Sequence, residues 1–78
     1  MTLCDLINEA NIDGPVSIRI INDNNESIDE IYIGFIPGIP AKIRKMARRM
    51  DISYMYAIED YIDNVPAAVL VFELRSRN

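Results

Sequence analysis

The densest chemistry in this chain lies between Lys42 and Arg49, KIRKMARR, where five cations fall within eight residues. Guanidinium and ammonium groups at that spacing pair with phosphates or carboxylates, and Arg44, Arg48 and Arg49 cover adjacent turns if the stretch is helical. Lys42, Arg44, Lys45, Arg48 and Arg49 are therefore the candidate binding residues. The chain carries 8 Lys and Arg against 12 Asp and Glu, so with these five set aside three cations face twelve acids. The plain alternative is a solvated helix face neutralised by the chain's own acids. DNA-reading helices also carry Asn, Gln or Ser among the arginines to reach base edges, and this segment has none.

Other chemistry is thin. There is no histidine and a single cysteine, Cys4, which rules out an intramolecular disulfide and removes the usual bases and zinc ligands. Glu59, Asp60 and Asp63 could make a carboxylate pair or take up a hard cation, but acids at a strand end are ordinarily just hydrated. No glycine-rich phosphate loop occurs. The expectation is a non-enzymatic protein with no cofactor and no metal. Tyr32, Tyr54, Tyr56 and Tyr61 offer aromatic rings with polar tips suited to an interface or to ordinary packing. Asp23, Glu26, Asp29, Glu30, Glu59, Asp60 and Asp63 form an acidic remainder that could imitate phosphate spacing before a basic partner.

These residues need elements to position them. Seventy-eight residues make one small domain, 1–78, close to the lower size at which a single apolar core sustains folding. Thr2 and Asp5 have capping-box spacing, and Leu3, Leu6, Ile7 and Ala10 recur at helical intervals, giving a first helix over 2–10. Asp13-Gly14-Pro15 stops it. Val16, Ile18 and Ile20 alternate with Ser17 and Arg19, which makes 16–21 a half-buried strand with Arg19 toward solvent. The polar run 22–27 suits a hairpin loop, and 28–35 supplies the returning strand, with Ile31, Ile33 and Phe35 inward and its alternation broken by a bulge or by a later start near Asp29.

Pro37-Gly38-Ile39-Pro40 is a connector, after which Ile43, Met46, Ala47 and Met50 fall at i, i+3, i+4 and i+7. The basic stretch is thus an amphipathic helix. Residues 51–62 fit helix and strand templates alike; tyrosine and isoleucine content favours a strand over 54–59, followed by a loop over 60–66 and a strong final strand over 67–74. The nearly continuous apolar run Val69, Leu70, Val71, Phe72 marks that last strand as central, with 75–78 as a tail. The order α-β-β-α-β-β then predicts an α+β fold in which two β-hairpins form a four-stranded antiparallel sheet with both helices on one face.

A start like TLCDLI, a strand like VSIRII before a polar hairpin and an ending like AVLVFELR resemble small accessory proteins of bacterial phages and integrated mobile elements. That resemblance implies action by binding, as in the broad class that includes anti-CRISPR proteins, and it transfers no functional residue. The expectation is an interaction module that binds a protein partner, with a nucleic-acid-associated regulator working through the basic helix 42–49 as the rival. Small size and exposed strand edges are also compatible with a homodimer. MTLCDLINEA lacks a positively charged leader and no apolar run is long enough to span a bilayer, so a cytoplasmic location without a membrane partner is expected.

Overall fold

A computed structural model describes residues 2–9, 12–21 and 28–76. The elements are α1 (Leu3–Glu9), β1 (Pro15–Ile21), β2 (Ile28–Phe35), a short 3-10 turn (Ile36–Gly38), α2 (Ala41–Ala47), β3 (Met50–Ile62) and β4 (Val65–Ser76). Their order is the one the sequence predicts. The capping box at the head of α1 is reciprocal: the Asp5 amide donates to Thr2 Oγ1 and the Thr2 amide to Asp5 Oδ2, both at 3.2 Å. The expected loop over 22–27 and Ala10 lie outside the described residues.

The four strands form one sheet in the order β2-β1-β4-β3. Both hairpins are present, β1 with β2 and β3 with β4, but they are joined by a parallel pairing of β1 with β4. The sheet is therefore mixed and not wholly antiparallel as expected. The reason lies in the connection. From the end of β2 the chain runs through the turn and α2 across the sheet face before β3 starts, so β3 begins at the same end as β2 and β4 then runs with β1. A helical crossover is how parallel neighbours are reached.

The main core cluster lies on the helix-covered face. Leu3 from α1, Ile39 before α2 and Ala47 within it meet Val16, Ile18, Phe72 and Leu74 from the two central strands, and all seven are buried. Both helices thus cover one face, as expected. Of the stripe Ile43, Met46, Ala47 and Met50, Met46 is exposed and Met50 belongs to β3, because the helix ends at Ala47. On the opposite face Ser17, Val69 and Val71 are also fully buried, which is why Val69 to Phe72 reads as a nearly continuous apolar run.

Two irregularities re-aim side chains. Pairing of Ile18 with Tyr32 and of Arg19 with Glu30 leaves Ile31 as an extra residue in β2. The break in alternation is this bulge. It puts Tyr32 and Ile31 against the core while Ile33 sits opposite Ser17 and Phe35 is exposed, which corrects the expected inward row of Ile31, Ile33 and Phe35. In β3 the register shifts between Ile52 and Tyr54.

The second hairpin is longer than the sequence predicts. β3 and β4 pair from Met50 with Ser76 to Ile62 with Val65, and the loop is only Asp63-Asn64. Both have left-handed backbones, φ 50° and 66°, the geometry of a two-residue turn that matches strand twist. Pro66 sits in β4 beyond the end of β1.

Candidate functional site

β3 is an edge strand of thirteen residues, paired with β4 on one side only. Among the described residues its other side is met once, by an isolated bridge from Thr2 to Asp51. Beyond that bridge the segment from Ile52 to Ile58 carries no charge. Tyr54 and Met55 are 60% and 54% exposed, Tyr56 and Ala57 are exposed too, and Tyr61 farther along is 67% exposed. Natural edges are normally blunted by lysine, proline, a bulge or shortness. β2, the opposite edge, has such protection in its Ile31 bulge and its exposed Asp29 and Glu30. In β3 the register shift lies before Tyr54, and from Tyr54 to Ile58 the strand has neither charge, proline nor bulge.

Behind this edge a polar row crosses all four strands on the face away from the helices. Register places Arg19 beside Glu30 of β2 and beside Glu73 of β4, and Glu73 beside Tyr54 of β3. Ser17 Oγ donates to Glu30 Oε2 at 2.6 Å, and Arg19 Nε donates to Ser17 Oγ at 3.2 Å. Arg19 also forms a 3.4 Å salt bridge to Glu30 and reaches the Tyr56 hydroxyl at 3.5 Å. Tyr56 in turn donates a hydrogen bond to Glu73 Oε2. Glu73 is only 6% exposed, so this bond supplies a partner that a buried carboxylate requires. It also raises the Tyr56 pKa above its ordinary value, with partial burial and the Glu73 charge adding and Arg19 opposing. Arg19 therefore works within the sheet and is not the purely solvent-facing side chain its alternation suggests.

The basic segment divides in two. The Arg44 guanidinium donates to the carbonyls of Ile36 at 2.7 Å and Ile39 at 3.2 Å, tying α2 to the turn before it. Lys42, Lys45 and Arg49 instead line, with Met46 and Met50, a groove of about 520 Å³ at the start of β3. Arg48 is exposed on the other side, by a small apolar cavity between α1 and α2. None of Lys42, Lys45, Arg48 and Arg49 forms a salt bridge with another described residue.

Cys4 borders that cavity, which is about 120 Å³ and lined mainly by Leu3, Ile7, Ile39 and Ile43, below the size of ordinary ligand pockets. Its thiol donates to the Arg44 carbonyl at 3.5 Å. Asp60 accepts from the Tyr61 amide and Asp63 sits in the turn, and among the described residues no acidic group gathers as a metal site. Asp23 and Glu26 lie outside the described residues. Of the tyrosines, Tyr32 turns inward to donate to the Phe35 carbonyl, while Tyr54, Tyr56 and Tyr61 share the edge strand. No described helix is long and apolar enough to cross a membrane.

The molecule is a small α+β protein whose mixed four-stranded sheet is covered by helices on one face. No protein family, curated protein or solved structure gives a match to it.

Proposed function

We propose that the chain is a non-enzymatic interaction module that binds a protein partner along the open edge of β3, in the manner of small accessory proteins encoded by phages and mobile elements. The observation that carries this reading is the uncharged, exposed stretch from Tyr54 to Ala57 on a strand with a free hydrogen-bonding side. An extended segment added there would gain main-chain hydrogen bonds, and its alternate side chains would meet Tyr54 and Tyr56 on one face and Met55 on the other. The absence of histidine and of a second cysteine from the sequence supports binding over catalysis. A cytoplasmic site of action accords with a free thiol and needs no membrane partner.

The rival reading, a regulator that contacts nucleic-acid phosphates, draws on the groove formed by Lys42, Lys45 and Arg49 and its cations without salt bridges to described residues. One capture experiment separates the two. A tagged chain exposed to a bacterial host extract that also contains the untagged chain should retain a stoichiometric protein, lose it when Met55→Lys and Ala57→Lys place charges on the edge, and keep it when Lys42→Glu puts an acid into the groove. Salt-sensitive retention of RNA or DNA that disappears with the groove variant, and not with the edge variant, would establish the rival instead.

A further inference from the structure

We infer that the partner of the β3 edge is a second copy of this chain, paired strand to strand about a two-fold axis near the middle of β3; this rests on the edge being the interaction surface proposed above. The argument starts from the charges at the two ends of the strand. Lys45, Arg48 and Arg49 stand at its beginning and outnumber the one acid there, Asp51, whereas Glu59, Asp60 and Asp63 stand at its far end. Ten residues of extended chain separate Arg49 from Glu59, about 33 Å. That is about four times the screening length at physiological salt, so within one molecule the two groups cannot neutralise each other.

An antiparallel second copy removes that separation. A two-fold axis perpendicular to the sheet reverses the strand, so the cations of each copy come beside the acids of the other at both ends at once. Parallel pairing would set like charge against like. A foreign strand would need its own charges in matching positions, whereas the second copy has them by construction, and the contact closes on itself. Between the charged ends lies the uncharged segment Ile52 to Ile58, in which no like-charge pair can fall opposite. The two-fold also keeps both helical layers on one side of a continuous eight-stranded sheet and lines up Tyr54, Tyr56 and Ile58 of both copies on the other. The Thr2 bridge at Asp51 marks where each ladder stops. Any other protein that binds the edge must displace the second copy.

The test is a charge swap read by solution mass. At roughly 100 µM, where a contact of modest size is populated, sedimentation should give twice the 8.9 kDa of the single chain. A chain with Glu59→Lys and Asp60→Lys should fall to monomer, and so should one with Lys45→Glu and Arg49→Glu. An equal mixture of the two variants should recover the doubled mass, because cations then meet acids at one junction and lysines meet glutamates at the other; that recovery also shows that both variants are folded. A monomeric wild type, or variants that each remain dimeric alone, overturns the inference. A monomeric wild type that still loses a captured partner on Met55→Lys and Ala57→Lys leaves the edge as the interaction surface, and capture indifferent to those substitutions removes that reading as well.

Discussion

Tyr56 is where the sheet's internal chemistry meets its open edge. Its hydroxyl serves the buried Glu73 carboxylate, and its ring lies on the exposed strand. The raised pKa fixes the sign of a pH effect: the folded chain holds this proton more tightly than the unfolded one, so the contribution is present below about pH 10, the ordinary tyrosine value, and is lost as pH rises through the higher folded value. Titration of tyrosinate absorbance should show a step above the ordinary tyrosine range, and Tyr56→Phe should abolish that late step and flatten the alkaline loss of stability. Superimposable titrations would contradict the assignment. Little of this was legible beforehand. Alternation put Ser17 and Arg19 on one face, but Glu73 sits in an apolar run, and only the parallel pairing of β1 with β4 brings it beside Arg19.

At the scale of elements, α2 illustrates how a charge cluster divides once it is folded. Periodicity found the helix and its inward Ile43 and Ala47, whereas the different jobs of its cations depended on the turn before it, which the sequence marks only as a connector. Arg44→Ala removes the donor to two carbonyls and should cost about 1.5 kcal/mol, whereas Lys45→Ala should stay within about 0.5 kcal/mol. Urea unfolding reads this as a lower midpoint at unchanged slope for the first substitution alone. Equal effects would return Arg44 to the solvated face. The β3-β4 hairpin was legible in kind and short in extent, because Asp63-Asn64 is itself a two-residue turn signal while Asp60 and Pro66 suggested a longer loop.

For the whole molecule, the sequence supplied the order of elements and the one-sided helical layer, since both follow from local periodicity and from the need to bury each apolar stripe. The mixed sheet did not follow, because strand direction is set by where a crossover delivers the chain and not by any residue within the strands. That direction is what leaves β3 as a long edge, uncharged from Ile52 to Ile58, with cations before its start and acids toward its far end. The most direct test of the edge as the interaction surface is amide hydrogen exchange along β3, followed by NMR across a range of protein concentrations. Outward-facing amides between Tyr54 and Ile58 should gain protection as concentration rises, while those of β2 do not change, and Ala57→Lys should remove the gain. β3 amides that exchange equally at every concentration, or protection that grows on β2 instead, would contradict it.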